Sequence, residues 1–252
     1  MIKFFNKIRK QQLDQNKTGR YLKYAIGEII LVMIGILLAL QVNNWNNNRE
    51  LKKEELKVLK SLYKEFNENL SSFDIAYKFH LNRKNDIKTM MTSNPSELSL
   101  DSLRSLNASV SNNLTFDPFQ GIYNSVINSG KIELISNDSL KIKIARFQDL
   151  LNDYKEEETN TMIFTQNNLY PFQLDGSKLN FNIAYDIRES SKEEQIELKQ
   201  SIVQLIESDK YENLLVYIYS YMSGIFIEGP ILKEEMISII NLLKKEIEKH
   251  DY

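Results

Sequence analysis

The ionisable side chains that most often do chemistry are few in this sequence and lie far apart. The two histidines, His80 and His250, form no closely spaced pair of the kind that binds a metal. His80 falls at an apolar helical position, which favours a buried structural histidine over a metal ligand. The chain contains no cysteine, which excludes disulfides, thiolate nucleophiles and sulfur-ligated metals.

Three short motifs resemble parts of known active sites but lack the rest of the pattern. Gly130-Lys131 lacks the preceding glycine and the four-residue spacer of a P-loop. Ser223-Gly224 lies inside an apolar helical stretch and not in a Gly-x-Ser-x-Gly elbow. The run Glu156-Glu157-Glu158 could collect a cation, but a solvated helix face is its simpler explanation. We therefore expect a protein that is not an enzyme and has neither a cofactor nor a metal site.

The charge is distributed unevenly along the chain. The formal net charge is -2, which excludes a simple basic polyanion-binding protein, so we expect no nucleic-acid partner. The first 23 residues nevertheless carry +6, because Asp14 is the one acidic residue among Lys3, Lys7, Arg9, Lys10, Lys17, Arg20 and Lys23. A basic arm that precedes an acidic body indicates that the arm has a role of its own.

Residues 25–42, with the sequence AIGEIILVMIGILLALQV, carry a single charge, on Glu28. As a helix, about 18 residues at about 1.5 Å each nearly match the hydrocarbon thickness of a bilayer. Tyr21 and Tyr24 at one end and Trp45 at the other are typical interfacial anchors. The run is too long for a cleaved signal peptide and is followed by no small-x-small site. We predict a transmembrane helix over residues 21–45 that is a retained signal anchor, with the lipid bilayer as its partner.

The orientation of this helix follows from its flanking basic residues. Seven lie before the apolar run, whereas four follow it before residue 58, namely Arg49, Lys52, Lys53 and Lys57. The positive-inside rule predicts a single-pass inner-membrane protein with a cytoplasmic N-terminus and a large periplasmic domain. The arm, residues 1–20, is either a short amphipathic helix on the anionic inner leaflet or a disordered basic tail.

Two sets of residues within the span could serve an assembly. Gly27, Gly35 and Ala39 share one helical face, and small residues at such spacing let two helices approach closely. Glu28 and Gln41 are the polar residues of the segment. Glu28 either pairs with a nearby basic side chain at the interface or takes part in an ion relay or an inter-helix hydrogen bond.

The remainder, residues 46–252, is poor in glycine and proline and predicts an all-α domain. Since neither residue occurs from 36 to 94, we expect the membrane helix to continue into a helical bundle or coiled coil. A heptad seam is predicted at Leu56, Leu59, Tyr63, Phe66, Leu70, Phe73, Tyr77 and His80. Further helices are predicted over 99–105, 118–128, 138–168, 192–208 and 209–227, with loops over 107–117 and 171–186. Gly229-Pro230 is expected to end a buried central helix before a closing helix at 232–247.

The stretch from Tyr24 to Asn46, YAIGEI followed by GILLALQVNNWN, and the segment SGKIELISNDSL at 129–140 resemble one known family. This is an uncharacterised family of single-pass membrane proteins typical of Bacteroidota, and the resemblance spans the chain. It implies the topology and an unassigned role, with no catalytic residues to carry over. It also gives Gly27, Glu28, Gln41 and Trp45 more weight than composition alone does.

Three hypotheses about function remain open. The first is a structural, interaction or sensory module of the bacterial envelope that binds a second copy or another envelope protein. The second is a component of an ion-coupled or transport assembly that uses Glu28 within the membrane. The third is a ligand sensor with a preformed apolar pocket in its outer domain.

Overall fold

The computed structural model describes residues 18–176 and 191–250, which are almost entirely helical and include no strand. The all-α fold class, with a long apolar N-terminal helix that continues into a helical region, is confirmed. The chain divides into two units, Met1–Glu55 and Leu56–Tyr252. Seven helices lie in the described residues: α1 (Thr18–Thr92), α2 (Leu100–Ser111), α3 (Gly121–Asn128), α4 (Asp138–Phe164), α5 (Tyr170–Gly176), α6 (Lys192–Ile206) and α7 (Asp209–His250).

Helix α1 supplies residues to both units, and it runs unbroken as the absence of internal glycine and proline after Gly35 predicts. It ends before Asn94, whose side chain accepts a hydrogen bond from the Ser96 N–H and caps a 3-10 turn, Pro95–Glu97. Asn137 likewise caps α4 by accepting from the Leu140 N–H. Gly130, with φ of 71°, adopts the left-handed conformation just after the end of α3.

The core of the second unit is built from α1, α4 and α7, which contact one another through aromatic side chains. Phe66 of α1 packs edge-on against Phe147 of α4, with ring centroids 4.9 Å apart. Phe73 of α1 contacts Tyr154 of α4 at 5.2 Å. Both distances are near the short end of the range of about 4.5–7 Å that aromatic pairs adopt, so the rings fill the space between the helices.

Half of the predicted heptad positions on α1 are buried, and the other half are not. Leu59, Phe66, Phe73 and His80 are buried as predicted. The alternate positions are shifted by one residue: Leu62, Asn69 and Ala76 are buried, while Tyr63, Leu70 and Tyr77 are only partly buried. The seam also runs further than predicted, through Arg83 and Ile87 to Met90. The apolar pattern did not reveal the observed seam, because Asn69 and Arg83 occupy two of its positions.

Several predicted boundaries are wrong. Helix α2 extends to Ser111, so the predicted loop begins only at residue 112. Helix α3 begins at Gly121 and not at Pro118. Residues 165–169 form a π-helical segment after α4. Part of the loop predicted over 171–186 is helical, in α5, and the rest lies outside the described residues.

The largest correction concerns Gly229-Pro230, which does not end a helix: α7 continues through it to His250. Pro230 is exposed, so its ring stays outside the core, although it leaves the carbonyl four residues earlier without an intrahelical hydrogen bond. The buried side chains on both sides of the proline keep the helix in one piece. The helix is also not buried all round, because one face carries Leu214, Ile218, Met222 and Ile225 while the opposite face is exposed.

Candidate functional site: an exposed apolar helix and a buried polar network

The apolar stretch of α1, residues 25–42, is exposed at every position after Ala25. Its large apolar residues from Ile26 to Val42 each expose between 50% and 68% of their surface. No part of the most apolar window of the helix is buried within the structure. Burying one such side chain is worth about 1.5–3 kcal/mol, so a stretch of this length is strongly disfavoured in water. Its length and composition are those of a membrane span.

The predicted association residues lie on this open surface. A Cβ atom added at Gly27 or Gly35 would meet no heavy atom within 4 Å. Ala39, Gln41 and Trp45 are exposed as well, and Trp45 shows 65% of its surface. Glu28 is also exposed on the helix. Tyr21 and Tyr24 lie on α1, but their side chains are outside the described part, as is most of the basic arm.

Helix α7 is the second helix that is long and apolar enough to cross a membrane by composition. A third of its most apolar window is buried within the second unit. Between residues 213 and 227, the residues of its inner face that belong to the core are Leu214, Leu215, Ile218, Met222 and Ile225. This helix therefore packs as a core helix with one open face.

A buried acidic side chain, Glu158 of α4, joins α1 to an irregular segment. Its Oε1 lies 2.9 Å from the His80 Nε2, and both side chains are almost completely buried. Its Oε2 accepts a hydrogen bond of 2.8 Å from the backbone N–H of Phe116. Burial, reinforced by the Glu158 charge one turn away, raises the pKa of the Tyr154 hydroxyl. The run 156–158 is thus not one solvated face, since Glu158 belongs to the core.

Two more polar side chains of α1 bond to the end of this irregular segment, residues 112–120, and to the start of α3. Asn69 bonds both to the carbonyl and to the N–H of Phe119, at 2.8 Å each. The Glu65 carboxylate accepts from the backbone N–H groups of Ile122 and Tyr123, at 2.7 Å each. A carboxylate at this end of α3 satisfies orphan N–H groups of its first turn and complements the helix dipole.

Arg83 of α1 is 99% buried, and its guanidinium bonds to three neutral acceptors. These are the Val110 carbonyl at 3.0 Å, the Asn113 side-chain oxygen at 3.0 Å and the Thr165 hydroxyl at 2.9 Å. Burial lowers the pKa of Arg83 to about 10, so it stays charged at neutral pH. The Val110 carbonyl belongs to the last turn of α2, whose negative dipole end stabilises a cation.

Further polar side chains bind α2 to α5 and α7. The Asn107 side-chain oxygen accepts from the Tyr211 hydroxyl at 2.9 Å and from Gln173 Nε2 at 3.0 Å. The Tyr170 hydroxyl donates to the carbonyl of Ser111 at 2.9 Å. Burial raises the pKa of Tyr211, which keeps its hydroxyl protonated as a donor. Together with the contacts of Glu65, Asn69, Arg83 and Glu158, these bonds form what we call the polar network.

The polar network is suited to holding structure in place. Each of its carboxylates and amides bonds to backbone groups or to another network member, which is how buried polar groups are compensated. Among the described residues, no group of three His, Asp or Glu could hold a metal ion. A groove between the turn at Ser96 and helix α6 is open to solvent and lined mainly by polar residues such as Lys199 and Gln200. It is not the enclosed apolar pocket that a ligand sensor would need.

Sequence reasoning missed the polar network because it read apolar periodicity. Asn69 and Arg83 each lie seven residues from Ala76 in the observed seam, which is one residue out of register with the predicted positions Tyr63, Leu70 and Tyr77, so the predicted seam did not indicate them. Asn107, Gln173 and Tyr211 gave no signal in the sequence, since they come together only through the tertiary fold.

Comparison with known proteins adds one finding. A model of the family described as "Family of unknown function (DUF6090)" matches residues 28–219, which is more than half of the chain. No curated protein and no solved structure gave a match.

Proposed function

The chain belongs to the DUF6090 family of unknown function, and we propose that it is a membrane-anchored helical protein that acts as a structural, interaction or sensory module of the bacterial envelope. Residues 21–45 are its single membrane span and signal anchor, and residues 46–252 form its outer domain. Its role is not enzymatic, and its partner is either a second copy of the chain or another envelope protein.

The observation that carries this proposal is the uncovered apolar stretch of α1. Eighteen residues with a single charge lie on one helix, and their large apolar side chains from Ile26 to Val42 each expose at least half of their surface. A bilayer supplies the apolar environment that such a surface needs. Trp45 then lies at the level where the apolar run gives way to asparagine, which is typical of an interfacial aromatic residue.

The flanking charges support a cytoplasmic N-terminus and a periplasmic outer domain. Seven basic residues precede the span within 23 positions, whereas the first basic residue after Trp45 is Arg49. Positive residues are retained on the cytoplasmic side of a membrane. We place the protein in the inner membrane on this basis.

The buried polar groups support the role of a structural or interaction module, because they fix the position of α1 against other parts of the outer domain. Glu158, Arg83 and Asn69 each join α1 to the segment 112–120 or to its neighbours. Because α1 also contains the apolar stretch, one continuous helix contains both the anchor and the residues that organise the outer domain. An interaction at the membrane face of Gly27, Gly35 and Ala39 would act on that same helix.

Single-cysteine labelling tests the anchor and the orientation cleanly, because the chain has no cysteine of its own. Gln12→Cys reports on the arm, and Ser105→Cys reports on an exposed position of α2. In spheroplasts, a membrane-impermeant maleimide should label Ser105→Cys alone, and it should label both variants after lysis. The wild type is the matched control without a thiol.

Two results would contradict the proposal. If alkaline carbonate released the protein from membranes, residues 21–45 would not be a membrane anchor. Labelling of Gln12→Cys but not Ser105→Cys in spheroplasts would reverse the orientation while leaving the anchor in place.

A second candidate function rests on Glu28, an acidic side chain on the exposed surface of the apolar stretch. A carboxylate within a span is costly and is often part of an ion path. In this case, vesicles that contain the protein should conduct protons, and Glu28→Gln should abolish the flux while leaving assembly intact. Equal flux in Glu28→Gln and in the control Glu50→Gln would eliminate this candidate.

A further inference from the structure

The apolar stretch of α1 is followed directly by a short run of asparagines. Residues 43–48 hold one tryptophan, Trp45, and a set of exposed asparagines, namely Asn43, Asn44, Asn46, Asn47 and Asn48. We call the side chains of these asparagines the amide collar. They belong to the first unit of the chain and lie on the same unbroken helix as the apolar stretch.

The contacts within the chain do not explain the amide collar. Asparagine is one of the poorer helix formers, because its side chain competes with the backbone for hydrogen bonds. Among the described residues, no side chain of the amide collar has a hydrogen-bond partner on the chain. Each amide offers two N–H donors and a carbonyl acceptor. The amide collar therefore presents a dense set of donors and acceptors to whatever surrounds the helix.

The amides are distributed around the whole helix. Successive residues of an α-helix are about 100° apart, so the amides lie at about 0°, 40°, 100°, 140° and 300° when Asn43 defines the origin. Trp45, at about 200°, lies in the widest gap between them. A second helix would cover one face only, whereas lipid surrounds a membrane helix on every side. The distribution of the amides therefore favours lipid over a protein partner.

The height of the amide collar matches that of a headgroup layer. From Asn43 to Asn48 the helix rises by about 7.5 Å. A bilayer of about 40–45 Å with a hydrocarbon core of about 30 Å leaves about 5–7.5 Å for the headgroups of each leaflet. When residues 25–42 fill the hydrocarbon core, the amide collar lies at the level of the lipid phosphate groups, whose oxygens accept hydrogen bonds.

We propose that the amide collar binds phospholipid headgroups, with its N–H groups donating to the phosphate oxygens of the surrounding lipids. This inference rests on the membrane anchoring proposed above. The recognition is by hydrogen bonds and not by net charge, because amides are neutral. Neutral donors also agree with the proposed orientation, since Lys or Arg at this level would favour retention of this end of the span in the cytoplasm.

Solid-state NMR of the full chain in phosphatidylcholine vesicles tests this contact. An amide that donates to a phosphate oxygen at about 2.9 Å holds its nitrogen within about 4.5 Å of the phosphorus. When only the side-chain nitrogens of asparagine are isotopically labelled, lipid phosphorus should therefore dephase part of their signal. Alanine at all positions of the amide collar should abolish this dephasing, and the helix should persist because alanine is the better helix former.

The matched control removes exposed amides elsewhere on α1. Asn82 and Asn85 are exposed on the same helix, within the second unit. The variant Asn82→Ala, Asn85→Ala should show the same dephasing as the wild type. Dephasing should also be equal in vesicles with and without phosphatidylglycerol, because the phosphate group is common to both lipids.

The fluorescence of Trp45 tells a failed anchor from a failed headgroup contact. Trp45 is the single tryptophan of the chain and lies within residues 43–48, so its emission reports on this level alone. The emission of the wild type and of both variants should shift to shorter wavelength when the protein enters vesicles. Loss of that shift in the wild type would overturn the anchor and the headgroup contact together.

Three results would overturn the headgroup contact while the anchor stands. The first is an asparagine signal that phosphorus does not dephase although Trp45 is inserted, which would leave water as the partner of the amides. The second is dephasing that survives alanine at every position of the amide collar. The third is dephasing that requires phosphatidylglycerol, which would assign headgroup binding to the exposed cations Arg49 and Lys52.

Discussion

Substituting alanine at the two glycines of α7 gives opposite expected effects on stability. At Gly229, a Cβ atom would lie 2.5 Å from Cε2 and 2.9 Å from Cδ2 of the Tyr77 ring, and 3.2 Å from Cε2 of Tyr154. Neither ring can move freely, because Tyr77 stacks on Phe73 with ring centroids 5.5 Å apart and Tyr154 is fully buried. Gly229 thus permits a close approach of α7 to α1 and α4.

The expected magnitude follows from two opposing contributions. Overpacking a core usually costs about 1–3 kcal/mol, and two immobile rings place Gly229→Ala at the upper end. Alanine in a helix interior is about 1 kcal/mol better than glycine. The net expectation is a loss of about 2 kcal/mol, which corresponds to a fall of about 4–8 °C in Tm for a domain of this size.

Gly224→Ala is the matched control in the same helix. Its Cβ atom would come within 2.0 Å of the Glu157 Oε2, closer than any contact at Gly229. The obstructing atoms are, however, the end of a flexible and partly exposed side chain, which can rotate away. The helix-propensity gain should then remain, so Gly224→Ala should equal or exceed the wild type in stability by up to about 1 kcal/mol.

Urea unfolding of the full chain in mild detergent, followed by near-ultraviolet circular dichroism, compares the three proteins. Gly229→Ala should unfold at lower urea than the wild type, and Gly224→Ala at the same or higher urea. If Gly224→Ala were the less stable variant, the shorter distance alone would decide the outcome, and the argument from side-chain mobility would be refuted.

Three further predictions address the polar network and the membrane face. Near pH 7, Tyr211→Phe should lower the free energy of unfolding by about 1 kcal/mol, because a hydrogen bond is lost. Above about pH 10, the stability of this variant should fall less steeply than that of the wild type. Because the pKa of Tyr211 is raised, the folded state keeps a proton on this hydroxyl that the unfolded state releases, so wild-type stability is lost as the pH rises. Urea midpoints of both proteins across about pH 7–11 measure this difference, and parallel curves would contradict it. Glu158→Gln should cost about 1–3 kcal/mol, because an amide cannot accept on both sides as the carboxylate does for Phe116 N–H and its histidine partner, whereas Glu157→Gln should change urea midpoints little. Gly35→Leu should lower amine cross-linking of the membrane protein several-fold if the open glycine face is a helix contact, and unchanged cross-linking would exclude that contact.

The continuity of α1 could be predicted because it depends on local chemistry alone. Neither glycine nor proline occurs from residue 36 to 94, and Pro95 marks the stop. The capping of α4 by Asn137 could be predicted for the same reason, since a side chain and a backbone N–H three residues later suffice. Gly229-Pro230 misled the prediction because the cost of a proline, about 3 kcal/mol, is smaller than the burial of the apolar residues on either side.

The seam of α1 shows why the polar network could not be predicted. An apolar pattern identifies Leu59, Phe66 and Phe73, but a choice between neighbours such as Leu62 and Tyr63 depends on what packs opposite. At Asn69 the opposite element is an irregular backbone whose N–H and carbonyl need partners, and a leucine there would leave both unsatisfied.

The polar positions of the seam also restrict how α1 can pack. If α1 moved along its axis by one heptad, Asn69 and Arg83 would lose their hydrogen-bond partners. The shifted packing would then be destabilised by a buried amide and a buried guanidinium without partners. A purely apolar seam would tolerate such a shift far better, since one leucine replaces another. Asn69 and Arg83 therefore fix the register of α1 against α2 and the segment 112–120.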